Sequence, residues 1–300
     1  MSNAAAEPSA LFAGLCTLDI IQTVRHMPGQ NEKITALGQC VAAGGPATNA
    51  SAAFACLGGR ATLLTGVGGH PLAEGMRADL EQAGVALIDV AAGDNRPPAV
   101  SSIIVTRESG DRCVVSMNAV GRSLEAPPGL GALVDGCQAV LIDGHHPALA
   151  LAVARAACAR GKPCILDGGS WKDNTPDLLP HVDVAVCSAD FRPPGVTAVT
   201  DILDYLLGNG IEWAAVTDGA QPIAWAVGGT RGQIPVPAVR VADTLGAGDI
   251  FHGAFAYAIA KGGGVTTDSF GSALRFGAKV AAYSCQYSGT RQWMEKWPAG

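Results

Sequence analysis

The stretch Val241–Phe251 reads VADTLGAGDIF and decides the fold of this 300-residue chain. Within it, Gly246-Ala247-Gly248 comes directly before an apolar segment of helical character. Glycines at the start of a helix let successive backbone N–H groups point into one concavity, and the helix dipole adds partial positive charge there. The pattern therefore predicts an anion hole for phosphate oxygens, formed by Gly246, Ala247 and Gly248.

Asp249 follows this loop and is the candidate catalytic base. A carboxylate beside an anion hole can accept the proton of an attacking hydroxyl while the transferred phosphoryl group is stabilised. The alternative is a plain helix N-cap, a frequent role of aspartate. Short glycine motifs also occur by chance, so other features of the sequence must decide.

A second glycine cluster lies far upstream, where Ala43–Ala50 reads AGGPATNA. Gly44 and Gly45 allow backbone to approach a ligand, and the proline that follows suits a first helical turn. Asn49 offers both a donor and an acceptor, which suits a polyhydroxyl substrate. The alternative is a close contact between helix and sheet, with Asn49 bonded locally.

Short apolar strands alternate with helical segments along the chain. The predicted strands are 11–16, 61–67, 101–106, 112–117, 139–143, 164–167, 182–187 and 213–217, and the predicted helices are 46–57, 72–83, 148–160, 199–207, 248–261 and 267–286. Near-continuous apolar strands separated by helices predict a mostly parallel sheet that is covered on both faces.

Two regions interrupt this alternation. Residues 20–43 lack a helix between two strand-like pieces, and residues 108–111 read ESGD between two strands, which predicts a hairpin. The two regions can pair into a small sheet that acts as a lid. Asp19 follows the first predicted strand, and a carboxylate there faces the ligand crevice of an open α/β sheet; the alternative is a turn or cap.

Composition limits the partners and the location of the protein. The net charge is −6 with no basic run, so no nucleic-acid partner is expected. No apolar run is long enough for a membrane span, and the N-terminus lacks the pattern of a secretory signal. Nine scattered cysteines without a C-x-x-C pair predict buried free thiols in a reducing cytoplasm. Residues 1–9 are expected to be disordered or left from cloning, because Ser2-Asn3-Ala4 resembles a vector remnant.

Together, Gly44-Gly45 with Asn49 and the later run Asp243-Thr244-x-Gly246-Ala247-Gly248-Asp249 resemble the ribokinase-like (PfkB) carbohydrate kinases. The resemblance implies an α/β fold: a three-layer α/β/α sandwich with a mostly parallel central sheet and a small β lid. It covers residues 10–300 as one kinase domain, with lid segments at about 20–43 and 95–120.

The resemblance also implies a function. Such enzymes transfer the γ-phosphoryl group of ATP to a hydroxymethyl group of a sugar or sugar-like substrate, with Mg²⁺ and often a monovalent cation such as K⁺. Dimerisation through the lid is common among them. The matching positions are Asp249 as base, Gly246, Ala247 and Gly248 as anion hole, Asp19, Gly44, Gly45 and Asn49 for the substrate, and Thr217, Gly219, Ala278 and Ser284 for the nucleotide.

One departure from the family pattern bears on activity. Many members carry Asn-x-x-Glu after a central strand, where this chain has Cys187-Ser188-Ala189-Asp190. Asp190 can hold Mg²⁺ through water, whereas Cys187 cannot replace an amide. This departure motivates one alternative, a sugar- or nucleotide-binding protein of the same fold with weak or no catalysis. A nucleoside kinase is a separate alternative. A dinucleotide oxidoreductase would need G-x-G-x-x-G after the first strand, which Gly14–Thr17 does not supply.

Three further polar features are interpreted as solvated: the loops that carry His145-His146 and Lys172, and the side chain of Arg122.

Overall fold

The computed structural model describes residues 7–108 and 110–298. The larger sheet has nine strands in the order β13-β12-β11-β10-β9-β8-β1-β4-β5. Its strands are β1 (Ser9–Ala13), β4 (Arg60–Thr65), β5 (Val85–Asp89), β8 (Ala139–Ile142), β9 (Cys164–Gly168), β10 (Val184–Ser188), β11 (Trp213–Asp218), β12 (Gln221–Val227) and β13 (Thr230–Ile234). All neighbours from β5 to β11 pair in parallel, and β12 and β13 complete one edge as antiparallel strands.

Helices cover both faces of this sheet. They are α1 (Pro46–Cys56), α2 (Leu72–Gln82), α3 (Leu130–Asp135), α4 (Pro147–Cys158), α5 (Thr175–Leu178), α6 (Val199–Gly208), α7 (Ala247–Lys261) and α8 (Thr267–Ser284). Helices α1, α2, α7 and α8 pack on one face, and α3 to α6 pack on the other. Strand side chains alternate between the two cores: Phe12 lies with the first group, and Leu11 with the second. The predicted three-layer fold is confirmed.

A second sheet of four strands stands off the first, in the order β3-β2-β6-β7. Its strands are β2 (Thr17–Val24), β3 (Gly38–Gly44), β6 (Val100–Thr106) and β7 (Arg112–Ser116). This is the predicted small sheet that serves as a lid. In the predicted turn at residues 108–111, Ser109 lies outside the described residues, as do residues 1–6 of the predicted disordered N-terminus.

The two faces of the lid differ in exposure. On one face, the pairs Asp19–Ser101 and Ser101–Ser116 lie in register, and all three side chains line a cavity. On the opposite face, Val41 and Val115 are exposed, and they belong to a row that also holds Ile20.

The first strand was predicted with the wrong end. It stops at Ala13, and Asp19 is the third residue of the lid strand β2 rather than a residue past the end of β1. The chain leaves the large sheet at Gly14, where the Asp143 carboxylate packs in the place a side chain would take. Asp143 Oδ2 then accepts the Leu15 N–H at 2.8 Å. The other predicted boundaries lie within about two residues of the observed ones.

All nine cysteines have free thiols, as predicted. They are not uniformly buried, however, because Cys40 and Cys113 are exposed on the lid and Cys158 is exposed on the last residue of α4. The lid is a thin layer with a solvent-facing side, so apolar sequence there does not imply burial. In the described part of the chain, no helix has the length and apolarity needed to cross a bilayer.

The contact between α1 and α7 brings the two glycine clusters together. Gly253 of α7 packs so closely on α1 that an added Cβ would overlap the Ala50 carbonyl oxygen. Glycine at this position lets the helix backbones approach, and α1 carries Asn49 while α7 carries Asp249. The spacing of the two helices therefore sets the distance between these side chains.

Replacement of Gly253 by alanine should destabilise the protein, although alanine is the better helix former. The added methyl group must push α7 away from α1, and overpacking of this kind costs about 1–3 kcal/mol. The matched control is Gly75→Ala in α2, where a new Cβ meets open space; it should stabilise by about 0.5–1 kcal/mol. Urea unfolding measures both. Equal effects of the two substitutions would contradict a close contact at Gly253.

Candidate active site

The loop before α7 has the geometry of an anion site. Gly246 is the N-cap residue with a left-handed φ of 69°, and it has no side chain to cap the helix. Among the described residues, the amides of Gly248 and Asp249 have no carbonyl partner. Gly248 is exposed, and a Cβ there would meet nothing within 4 Å. The loop thus presents free N–H donors at a helix start, which fits a phosphate group.

Asp249 is not a helix cap. It is the third residue of α7, and its Oδ2 accepts a hydrogen bond from Asn49 Nδ2 at 2.8 Å. The carboxylate is therefore bonded to a neighbouring helix rather than to its own amides. The structure brings together two candidates that lie 200 positions apart in sequence.

Asp19 reaches the same region from the lid. Its Oδ1 accepts a hydrogen bond from Thr17 Oγ1 at 2.6 Å, and burial raises the pKa of its carboxyl. A Cβ on Gly44 would overlap this carboxylate, so glycine is required there to admit it. At Gly45 the φ is 101°, and a Cβ would overlap the Leu15 carbonyl oxygen.

A cavity of about 180 Å³ joins these candidates. We call it the acceptor cavity. Its walls include Asp19, Gly45, Asn49, Gly246 and Asp249, with Thr17, Ser101, Ser116, Asn118 and His145 as further polar residues. Two carboxylates thus face a small space with both polar and apolar walls, beside the free amides of the anion loop. This arrangement can bind hydroxyl groups at one end and a phosphoryl group at the other.

The surroundings of Asp249 bring the pKa of its carboxyl close to neutral pH. Burial, and secondarily the Asp167 carboxylate, raise the pKa of Asp249 to about 7, although the Asn49 hydrogen bond acts to lower it. A carboxyl with a pKa near 7 can both accept and release a proton at physiological pH, as a general base requires.

Buried His252 stands next to this carboxylate pair. Its Nδ1 lies 2.7 Å from the Gly248 carbonyl oxygen and 3.3 Å from Asp167 Oδ2, and its Nε2 lies 3.0 Å from the Val186 carbonyl oxygen. The ring faces Asp167 and connects the anion loop to strand β10.

Comparison with known proteins identifies the family. The sequence profile of the pfkB family carbohydrate kinases matches residues 8–297. The chain belongs to the pfkB family of carbohydrate kinases. It is 24% identical to mouse ketohexokinase, covering 94% of this chain and 98% of that protein. It is 26% identical to Arabidopsis thaliana ribokinase, covering 94% of this chain and 77% of that one.

The fold comparison agrees. The structure of Arabidopsis thaliana ribokinase complexed with ribose and ATP superimposes with a TM-score of 0.76 at 22% identity, over 95% of this chain and 94% of the other. Carbohydrate kinases of this family are phosphotransferases with an alcohol acceptor, and this chain is an enzyme of that class.

Sequence reasoning missed Arg291, which no motif marks. Its Nη1 donates to Asn49 Oδ1 at 2.9 Å, and its Nη2 donates to the Ala43 carbonyl at 2.7 Å and lies 3.3 Å from Asp79 Oδ2. The guanidinium therefore joins the C-terminal segment to both ends of the first glycine cluster. An isolated arginine near a chain end gives no sequence signal for such a role.

Sequence reasoning also missed Asp143, a buried carboxylate that organises the surrounding backbone. Its carboxylate accepts the N–H groups of Leu15 at 2.8 Å, Ala47 at 3.1 Å and His145 at 3.0 Å. It thereby holds the start of α1 and the segment that leads into the lid. The sequence feature that could have indicated this role is an aspartate directly after an apolar strand.

The interpretation of His145-His146 and Arg122 as solvated was wrong. His145 lines the acceptor cavity, and His146 is buried at 4% exposure. The Arg122 side chain is only 12% exposed and forms an ion pair with Asp94. His145 and His146 follow β8, and Arg122 follows the lid strand β7. All three lie where the two sheets meet, so the lid covers them.

The nucleotide and metal candidates lie away from the acceptor cavity. Thr217 is the last residue but one of β11 and pairs in register with Ser188. Gly219 forms the following turn with a φ of 54°, and Asp190 is exposed two residues after Ser188. These three residues lie together at the carboxyl ends of the neighbouring strands β10 and β11. By contrast, Ala278 and Ser284 are buried on α8, and they do not line the acceptor cavity.

The described residues include no preformed metal cluster. Across 7–108 and 110–298, no group of three or more His, Cys, Asp and Glu side chains is arranged to hold an ion. Magnesium in phosphoryl-transfer sites is held mainly by water and substrate phosphates with one or two carboxylates, and exposed Asp190 fits that mode. Cys187 is buried against Gly168 and does not face such a site.

The raised pKa of Asp249 predicts a pH-dependent cost in stability. Its folded pKa of about 7 lies above the ordinary value of 3.8, so the unfolded chain loses this proton first as pH rises. The carboxyl therefore lowers stability progressively between about pH 4 and pH 7, and fully above that range. Asp249→Asn should be more stable than wild type at pH 8, by on the order of 1–4 kcal/mol, and similar at pH 4.

Urea unfolding at the two pH values measures this difference. The control is Asp204→Asn, since Asp204 forms an ion pair with Arg231 on the surface with 58% of its side chain exposed. That variant should gain nothing at pH 8. If Asp249→Asn is no more stable than wild type at pH 8, the ionised Asp249 carboxyl does not lower the free energy of unfolding, which contradicts the prediction.

Proposed function

We propose that this protein is an ATP-dependent kinase that transfers the γ-phosphoryl group to a hydroxymethyl group of a sugar or nucleoside, with Asp249 as the base. One observation carries the proposal. The Asp249 carboxylate, fixed by Asn49 at 2.8 Å, lies in one cavity with Asp19 and next to an anion loop with free amides.

The proposed step follows from these positions. The acceptor is bound by Asp19 and by the backbone at Gly44 and Gly45, with its hydroxyl towards Asp249. Asp249 takes the hydroxyl proton as the acceptor oxygen forms its bond to the γ-phosphorus. The bond from that phosphorus to the bridging oxygen breaks, and the electron pair leaves with ADP. The loop amides at Gly246, Ala247 and Gly248 stabilise the charge on the transferred group; that of Gly248 is free, and that of Ala247 would exchange its 3.2 Å bond to the Thr244 carbonyl for one to the phosphoryl group.

The nucleotide is proposed to lie along the sheet edge formed by Thr217 and Gly219, with Ala278 and Ser284 of α8 behind it. Bound Mg²⁺ would neutralise phosphate charge, and Asp190 is the residue proposed to hold it through water. Dependence on a monovalent cation such as K⁺ stays a prediction.

The assembly and location are also proposals. The exposed valines on the outer lid face, Val41 and Val115, support a homodimer through the lid, because a self-complementary apolar face can be covered by a second copy. The oligomeric state in solution tests this. Nine free thiols support a cytoplasmic location. The net charge of −6 supports the absence of a nucleic-acid partner.

The second candidate is a binding protein that keeps the fold without catalysis, favoured by Cys187 in place of the usual amide. The two candidates differ in the release of ADP. A screen of ATP-dependent ADP release over pentoses, ketohexoses, nucleosides and acidic sugars separates them, since ligands that bind without any ADP release would favour the second.

Asp249→Asn should abolish most turnover while nucleotide binding remains. An amide cannot accept the hydroxyl proton, and loss of general-base catalysis typically costs about 10²–10⁴-fold in rate. Steady-state kinetics on the acceptor found in the screen measures kcat, and calorimetry measures ATP affinity. Wild-type Kd for ATP together with a kcat within a few-fold of wild type would remove Asp249 from the mechanism.

A further inference from the structure

A second cavity adjoins the acceptor cavity at the base of the lid. We call it the annex: it has a volume of about 390 Å³ and lies between Leu15, the segment 96–100, the segment 117–122 and His146. Leu15 and Asn118 line both cavities. Asp249 and Gly246 line only the acceptor cavity, so the annex lies on the side away from the proposed base.

The annex is walled mainly by apolar groups. Met117 and Val120 are among the exposed large hydrophobic side chains of the protein, at 57% and 74%. Pro97, Pro98 and Ala99 form the facing wall. Exposed apolar side chains next to a site typically mark a surface that a ligand covers.

The arginines on the annex wall are held by other groups of the protein. The Nη donors of Arg122 go to four backbone carbonyls, those of Gly66, Val67, Arg96 and Pro97, and its Nε lies 3.2 Å from Asp94. Arg96 binds the same Asp94 and the Gly121 carbonyl. The two guanidinium groups share one carboxylate, but Arg122 has no Nη donor left for bidentate binding of an acidic or phosphorylated acceptor.

One buried polar atom on this wall lacks a partner. Within the described residues, His146 Nδ1 has no hydrogen bond, although the ring is bonded to the Arg122 backbone. Burial lowers the pKa of His146, so the ring is neutral and Nδ1 is an acceptor. An unpaired buried acceptor of this kind would favour a ligand that donates an N–H or O–H group.

We propose that the acceptor is nucleoside-sized: its sugar occupies the acceptor cavity, and an uncharged planar ring with an N–H donor occupies the annex. The inference rests on the proposed kinase function and names its substrate class. Small ligand pockets of roughly 300–1,000 Å³ are typical, and the acceptor cavity reaches that size only together with the annex. Flat aliphatic and proline walls suit a planar ring better than a second polyhydroxyl sugar.

The test compares D-ribose with adenosine, inosine and uridine on three proteins. Val120→Trp fills the annex from an exposed position, and Leu72→Trp is the control, an exposed apolar residue of α2 outside both cavities. Loss of well-packed contacts to one part of a substrate costs about 10–200-fold in kcat/KM. We expect at least one nucleoside to exceed ribose by about tenfold or more in wild type. Val120→Trp should remove that preference without changing ribose kinetics, and Leu72→Trp should change neither.

His146→Gln tests the contribution of the unpaired Nδ1 separately from that of the apolar walls, because glutamine keeps a donor for the Arg122 backbone and lacks Nδ1. It should weaken the preferred nucleoside and leave ribose unchanged. Ribose used as well as every nucleoside, with no effect of Val120→Trp, would overturn the inference and leave the kinase function standing. If no acceptor is phosphorylated, the proposed function fails; calorimetric binding of the nucleosides to wild type and Val120→Trp then decides on the annex, and no binding overturns it.

A different observation carries a second inference, about Arg291. An amide side chain can rotate so that either its oxygen or its nitrogen faces Asp249. Arg291 Nη1 donates to Asn49 Oδ1 at 2.9 Å, which requires the oxygen on that side and directs Nδ2 to Asp249. Asp79, at 3.3 Å from Nη2, and the Ala43 carbonyl, at 2.7 Å, fix the guanidinium in turn.

We infer that Arg291 is a positioning residue for the proposed base, acting through Asn49. Without it, Asn49 can turn its oxygen towards the carboxylate, and Asp249 loses a donor that favours its ionised form. The pKa of Asp249 then rises, so the acid limb of the kcat profile moves to higher pH. The other charged or titratable groups near Asp249 are Asp167 on β9, Asp19 on β2 and His252 on the same helix, and the substitution leaves them in place.

Arg291→Met should shift the acid limb of kcat upwards by about half a pH unit or more, and added guanidinium chloride at low millimolar concentration should partly restore it. Arg231→Met, which removes the surface pair with Asp204, is the control and should leave the limb in place. A lower kcat with an unmoved limb would show that Arg291 has a structural role only. If wild type shows no turnover, NMR titration of the Asp249 carboxyl in wild type and Arg291→Met gives the same comparison, and an equal pKa overturns the inference.

Discussion

The hydrogen bond between Asn49 and Asp249, at 2.8 Å, is the interaction on which the arrangement of the site depends. It joins two helices whose spacing is set by the backbone contact at Gly253. A side chain at Gly253 would separate the helices, and the glycine cluster of α1 would no longer face the anion loop of α7. The requirement for glycine at a packed helix position thus has a functional consequence, although Gly253 contacts no ligand.

Carboxylates converge on this point from several elements, and the protein stabilises each differently. Asp143 is held by three backbone N–H groups, and Asp167 faces the buried His252 ring. Asp19 is bonded to Thr17 on the lid. Asp249 has a single amide donor, and it is the one whose pKa rises to about 7. Burial also raises the pKa of Asp19 and of Asp167, so Asp249 is distinguished from them by its place beside the free amides of the anion loop.

The lid supplies both substrate-facing and solvent-facing surfaces from the same short strands. Side chains alternate across the sheet, so Asp19, Ser101 and Ser116 line the cavity while Val41 and Val115 point away. Where the lid strands return to the large sheet, Arg122 uses all its donors on Asp94 and backbone carbonyls. This fixes the base of the lid beside the second cavity.

Local patterns in the sequence determined the parallel sheet, the covering helices, the lid and the glycine loop before α7, because these depend on residues that are close along the chain. Most element boundaries followed for the same reason. Tertiary structure alone decided that Asp19 lies on the lid, that Asp249 binds Asn49 rather than capping its helix, and that Arg291 orients Asn49. It also decided that Arg122 and His146 are buried. Each of these facts joins residues far apart in sequence, and the distance between them is set by how helices and sheets pack, which periodicity and composition do not encode.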